Sequence, residues 1–259
     1  MSGDKDTIAH NRDAWNRESR DGGPWSIPVT ADEIARARRG DWRIILTPNT
    51  PVPAGWFPGE LAGLQLLALA GSGGQQAPIL AAAGASVTVL DFSEEQLQRD
   101  RHVAERDGLR LTLEQGDMRD LSRFADASFD LVINPCSVVF VPDVRPVWRE
   151  VARVLRPGGR FMTGLCNPAL YMFADTRLGE DGLTLRYPLP VMGDTGEARD
   201  HALKLGEPFQ FSHTLTDLIA GQLEAGLQIV DFFEDHWNDP ALPLDRFFPP
   251  FFATLAIKR

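Results

Sequence analysis

A chain of 259 residues, 43% apolar and 24% charged, suits one α/β domain with additions. Its net charge of −10 repels a phosphate backbone, and the richest basic run (Arg36, Arg38, Arg39) is diluted by Asp32, Glu33 and Asp41, so nucleic acid is not an expected partner. No apolar run approaches the ~18 residues that span a bilayer, the first residues read as neither signal peptide nor anchor, and two cysteines without metal-ligand spacing suggest no metal and a reducing, cytoplasmic setting.

Residues 1–60 read as an irregular cap rich in Trp and Pro, with a short helix over about 31–39. Four of the six tryptophans lie here, at 15, 25, 42 and 56; this composition argues against disorder. From 61 onward the pattern changes. LQLLALA (64–70) is an apolar strand, followed by a glycine-rich turn and a helix over about 75–83. SVTVLD (86–91) is β-branched and closes on an acid. Ser93 caps a helix that reaches about 107, with Glu95 and Gln96 in its first turn. LRLTLEQGD, FDLVINP, a helix over about 143–155 and RPGGRFMTGL continue the alternation. Apolar strands alternating with helices predict a parallel sheet covered on both faces. Residues 166–213 interrupt the pattern as an insertion, in which LTLRYPLP and EPFQFSHTL are expected as strands. A helix over about 214–225, the strand LQIVDFFED and the final strand FFATLAIKR complete the chain.

In such a sheet, ligands sit at the carboxyl ends of the strands. Four consecutive ends carry candidate groups: the turn AGSGG after the first, Asp91 after the second, Asp117 after the third and Asn134 at the fourth. A glycine turn lets backbone approach a ligand. A carboxylate at the second strand end can accept both hydroxyls of a ribose, and one after the third can accept an adenine amino group. This describes an adenosine pocket. The NAD pattern G-x-G-x-x-G/A, begun at Gly71, reaches Gln76 at its third place and fails, and no Tyr-x-x-x-Lys pair is present.

The stretch 128–165, SFDLVINPCSVVFVPDVRPVWREVARVLRPGGRFMTGL, closely resembles the class I S-adenosylmethionine-dependent methyltransferases. In them a strand opening with FD leads through a helix ending in E-x-x-RVLrPGG to the fifth strand; here these residues are Glu150 and Arg153 to Gly159. The resemblance covers 61–165 well and 210–259 moderately. It implies a doubly wound, seven-stranded, mostly parallel α/β sheet (a Rossmann-like methyltransferase fold) with an antiparallel last strand. The methyltransferase domain would span 61–259, with its insertion at about 166–213. It also implies S-adenosylmethionine as cofactor and S-adenosylhomocysteine as product; the acidic charge, the large insertion and the aromatic cap favour a small-molecule acceptor over nucleic acid. The first motif of that family is D/E-x-G-x-G-x-G. Gly74 stands 17 residues before Asp91, the family's separation between its last glycine and its ribose acid. This register puts Ala68 on the acid and Ala70, Ser72 and Gly74 on the three glycines, so three of the four places depart from the motif. Gln75, Gln76 and the cap are candidates to take over from the missing acid. The altered turn also keeps open a noncatalytic, methyltransferase-like binding protein.

The resemblance therefore assigns cofactor contacts to Ala70, Gly71, Ser72, Gly73, Gly74, Asp91, Phe92, Asp117, Met118 and Asn134. Asn134-Pro135 begins like the NPPY motif of amino-group methyltransferases, but its fourth residue, Ser137, offers no aromatic face. Asp130, before the methyl-transfer end of its strand, reads as structural. His213, ahead of a helix, is the candidate catalytic residue, with Asp235, His236 and Tyr171 behind it; Trp15, Trp25 and Tyr171 are candidate substrate contacts, with Trp56 beside them.

Overall fold

The structure is a computed structural model; it describes residues 2–173, 183–239 and 242–259. The chain opens with helix α1 (Ser2–Arg20) and the short α2 (Ala31–Ala37). Then follow β1 (Gln65–Leu69), α3 (Gln76–Ala82), β2 (Ser86–Asp91), α4 (Glu94–Asp107), β3 (Leu111–Gln115), β4 (Phe129–Asn134), α5 (Arg145–Val154) and β5 (Leu155–Cys166). After the insertion helix α6 (Gly196–Leu205) come a single wide helical turn (Thr216–Ala220), α7 (Gly221–Glu224), β6 (Leu227–Asp235) and β7 (Phe251–Lys258).

The seven strands form one sheet in the order β3-β2-β1-β4-β5-β7-β6. β1 to β5 are parallel, and β7 runs antiparallel between β5 and β6. β1 and β4 are buried on both faces; Leu66, Leu67, Ala68, Leu69, Leu131, Val132 and Ile133 are all fully enclosed, as a sheet with helices on each side requires. α5 shows its apolar stripe as Val147, Trp148, Val151 and Val154, spaced to fall on one helical face. Ser93 Oγ accepts from the Gln96 amide, and Gly108, at φ 61°, ends α4 in a left-handed cap. Pairing of Leu69 with Leu90, Asp91 with Gln115 and Asn134 with Thr163 brings the carboxyl ends of β1 to β5 to one rim.

Two expectations need correction. The N-terminal segment is not largely irregular: its first third is the 19-residue α1. The buried positions Thr7, Asn11, Ala14 and Ser19 follow helical spacing, but three of the four are polar, so the hydrophobic stripe is faint. Hydrogen bonds fix this polar face instead. Thr7 Oγ1 donates to Asp194 Oδ2 at 2.8 Å, and Asn11 Nδ2 donates to the Phe140 and Phe209 carbonyls while its Oδ1 accepts from the Phe209 amide. In the insertion, LTLRYPLP and EPFQFSHTL form only single bridges, Phe173 with Leu185 and Met192 with Phe211. Pro188, Pro190 and Pro208 lack the N–H that a ladder needs, and α6 lies between the two segments. Residues 174–182 of the insertion lie outside the described residues.

Candidate active site

The turn after β1 answers the sequence's main irregularity. Ala70, Ser72 and Gly74 have φ of 47°, 59° and 78°. All three places that the family fills with glycine are left-handed, although alanine and serine occupy two of them, against the ordinary preference of L-residues. Gly73 is required for another reason: a Cβ there would stand 2.4 Å from the Gln96 carbonyl oxygen. The turn is held from α4. The Gly73 amide donates to Gln96 Oε1 and the Gly74 amide to Asp100 Oδ1, each at 2.9 Å. Gln75 Nε2 donates to the Pro24 and Ile27 carbonyls, and Gln76 Oε1 accepts from the Ile45 amide. The two glutamines thus tie the N-terminal segment to the turn. Ala68 is enclosed within the sheet.

Asp91 sits at the end of β2, 6% exposed. Its Oδ1 accepts from the Ser93 amide at 2.8 Å. Burial pushes its carboxyl up to about 7, against the pull of the Ser93 and Phe92 amides. Asp100, equally enclosed, is pushed up to about 8 by burial, with the Gly74 amide opposing and the nearby Asp91 charge adding. Ser93 Oγ donates to Asn16 Oδ1 at 2.7 Å, so α1 is bonded at the loop that follows Asp91.

Below α1 the strand ends border a cavity of about 230 Å³. Ala70, Ser72, Asp91 and Phe92 line one side. Trp15, Trp25, Phe140, Tyr171, Trp237 and Phe251 supply aromatic walls, with Cys136 and Cys166 between them. Gly164 lets the 44–47 segment cross the strand ends, since a Cβ there would lie 1.9 Å from the Leu46 carbonyl oxygen. This crossing places Leu46 and Thr47 in the wall. A narrower cleft shares Ala70, Asp91, Phe92 and Phe140 with the cavity and extends to Gly116, Asp117 and Met118. Asp117 faces this cleft with its carboxylate held by Arg119, Nε and Nη2 donating to Oδ2 at 3.0 and 2.7 Å.

Trp15, Trp25 and Tyr171, the candidate substrate contacts, all line the cavity. Trp15 meets the Phe140 ring edge-on at 5.0 Å between centroids, and Tyr171 Oη donates to Gln210 Oε1. Burial pushes the Tyr171 phenol up, and it pushes the Cys136 thiol up as well.

His213 stands elsewhere. It is not among the residues lining the cavity; its Nε2 lies 3.0 Å from the Val138 carbonyl, and burial lowers its pKa. Its backbone is left-handed, φ 50°, just before the wide helical turn. Asn134 is fully enclosed: Nδ2 donates to the Leu69 carbonyl and Ser137 Oγ, and Oδ1 accepts from Thr163 Oγ1. Its amide joins β1, β4 and β5 at the rim rather than facing the cavity. Trp56 packs in the core and donates to Asp231. Asp235 accepts from the Asn49 and Thr50 amides and from Thr50 Oγ1. Burial works to raise its pKa, but these bonds hold it below the usual carboxylate value. Asp130 accepts from the Gln65 amide at the opposite end of the sheet. Sequence reasoning missed Gln96 and Asp100; the only hint was that both lie on the α4 face turned toward the glycine turn, four residues apart.

The strand order, the left-handed turn and the acid one strand away define a Rossmann-like methyltransferase fold. Residues 67–163 match the methyltransferase domain family. The chain is 42% identical over 256 residues to the Bacillus subtilis (strain 168) protein named uncharacterized methyltransferase YbaJ, covering 97% of this chain and 98% of that one. Among solved structures, an S-adenosylmethionine-dependent methyltransferase from Mesorhizobium loti superposes with a TM-score of 0.62 at 27% identity, covering 79% of this chain and 94% of that one. The [4+2]-cyclase SpnF shares the fold at 17% identity and a TM-score of 0.53, over 76% of this chain and 75% of its own. The chain belongs to the S-adenosylmethionine-dependent methyltransferase family and is an enzyme of that class. Among the described residues no helix is long and apolar enough to cross a membrane.

Proposed function

We propose that this enzyme transfers the methyl group of S-adenosylmethionine to a small molecule held in the aromatic cavity under α1. One observation carries the reading: the backbone keeps the left-handed conformation at all three glycine places of the first motif, and the buried Asp91 closes the next strand. Non-glycine residues held in this costly conformation cluster at ligand-binding sites, which supports a turn that still binds. The residues present fit the cofactor. Asp91 has one carboxylate oxygen on the Ser93 amide, leaving the other for ribose hydroxyls. The cleft bounded by Gly116, Asp117 and Met118 suits adenine, and Ala70 and Asp91 border both it and the cavity. The cofactor supplies an already activated methyl sulfonium.

The protein's task is then alignment and exclusion of water. The wall built by Trp15, Trp25, Phe140 and Trp237 holds the acceptor, and α1 roofs the site through Asn11 and Asn16. Residues 1–60 act as this roof on the core of 61–259. The environment of His213 supports a packing role, with its ring on Val138 and away from the acceptor.

Calorimetric titration with S-adenosylmethionine and S-adenosylhomocysteine, with NAD as control, tests the reading. Micromolar binding of the first two and none of NAD is expected, and Asp91→Ala should weaken it by ~1–3 kcal/mol. Failure of both sulfur ligands to bind would favour the noncatalytic alternative.

A further inference from the structure

Among the described residues, no Lys, Arg, His or Glu lines the cavity, and its one acidic group, Asp91, sits at the ribose position. Several of the neutral dipoles on its walls are spent, while the buried Trp15 Nε1 has no partner among the described residues. Gln76 accepts from Ile45, Gln96 bridges Gly73 and Ser26, and Gln210 accepts from Tyr171. Six aromatic side chains, Trp15, Trp25, Phe140, Tyr171, Trp237 and Phe251, make up much of the remaining surface. Among the described residues such a wall has no cationic side chain to neutralise an anion, and Asp91 would repel one. Nor do the described lining residues include a His, Lys or Glu to take a proton from a hydroxyl or an ammonium. Aromatic faces do stabilise a cation.

The acceptor chemistry that asks least of this wall keeps the total charge constant. We infer that the methyl acceptor is an uncharged, largely aromatic molecule whose nucleophile is a nitrogen lone pair without a proton to lose, such as a heteroaromatic or tertiary amine. This deepens the methyltransferase reading and rests on it. The nitrogen lone pair forms the new N–C bond as the C–S bond breaks, and that bond's electron pair returns to sulfur. The positive charge passes from sulfur to nitrogen, no proton is released, and a neutral thioether leaves. The charge stays throughout among the same aromatic faces.

A matched series tests this: 4-acetylpyridine (neutral nitrogen), 4-hydroxyacetophenone (a phenol) and 4-acetylbenzoate (an anion), each titrated calorimetrically into the protein saturated with S-adenosylhomocysteine. Each is also incubated with S-adenosylmethionine. 4-Acetylpyridine should bind at least tenfold tighter than 4-acetylbenzoate. It should yield 1-methyl-4-acetylpyridinium and S-adenosylhomocysteine in equal amounts, at a rate flat between pH 7 and 9. The pyridinium product should also bind, and Trp25→Leu should weaken it severalfold more than it weakens 4-acetylpyridine. Tighter binding or faster methylation of the phenol or the benzoate, or a Trp25→Leu effect equal on cation and neutral ligand, would overturn the inference. Absence of S-adenosylhomocysteine binding at the outset would instead strike the methyltransferase reading itself, so the two failures are told apart.

Discussion

Ala70 and Ser72, two residues apart in the turn after β1, share a left-handed backbone at φ 47° and 59° and both line the cavity. Each pays a conformational cost that glycine would not. Ala70→Gly and Ser72→Gly should therefore be neutral or stabilising by up to ~1 kcal/mol, the reverse of the usual effect of introducing glycine. Gly73→Ala, whose Cβ would meet the Gln96 carbonyl oxygen, should destabilise by ~2 kcal/mol or more. Gly71→Ala, whose Cβ makes only an ordinary contact with Ala68, should be much milder. Urea midpoints of the four variants check the ordering.

The proposed ribose contact of Asp91 should give cofactor binding a pH dependence. Burial holds its carboxyl at about 7 in the free protein. Ribose hydroxyls donate to the ionised form, so bound cofactor should lower that value. Affinity for S-adenosylhomocysteine should then fall as pH drops from 7.5 to 5.5 and level off above about 8. Titrations in buffers of different ionisation enthalpy should show proton release near pH 6.5. Asp91→Asn should abolish both the release and the slope.

Asp100 makes a separable prediction about stability. Its folded pKa, about 8, lies above the usual carboxylate value because burial penalises the charge. A raised carboxylate binds more protons folded than unfolded, so its contribution worsens as pH rises from about 4 to about 8. Asp100→Asn keeps an acceptor for the Gly74 amide and removes the charge. It should leave stability little changed below pH 4 and raise it near pH 9 by ~1–3 kcal/mol. Thermal unfolding at the two pH values provides the comparison.

His213→Ala should leave kcat near that of the parent. It should lower stability by ~1–3 kcal/mol, because the ring's bond to the Val138 carbonyl is lost from an enclosed position. A large fall in kcat with unchanged Tm would restore this residue to the reaction.

The parallel core was legible because its strands are apolar throughout and its helices carry clear caps and stripes. RVLRPGG identified the family, yet the structure gives it an architectural task. Arg153 bonds to Glu150, Asp126 and the Leu121 and Phe124 carbonyls, and Gly158 turns at φ 77°. Its specificity reports fold, not chemistry. α1 was hidden because polar side chains hold its inner face, and hydrophobic periodicity is blind to Asn11. The places of Trp15, Trp25 and Tyr171 around one space were guessed from residue type; only the fold could bring residues this distant in sequence to a common wall. The stations of Asn134 and His213 turn on which way an enclosed side chain points, and spacing does not encode that.

A short relay links Asp91 to the cavity wall. The Ser93 amide donates to Asp91, the Ser93 hydroxyl donates to Asn16, and Asn16 is the chain neighbour of Trp15. With the cofactor at Asp91 and the acceptor in the cavity, as proposed, the two ligands are not independent guests. Occupying the first station would steady the residue beside the second, which favours a fixed order of arrival, cofactor before acceptor, and the reverse order of departure.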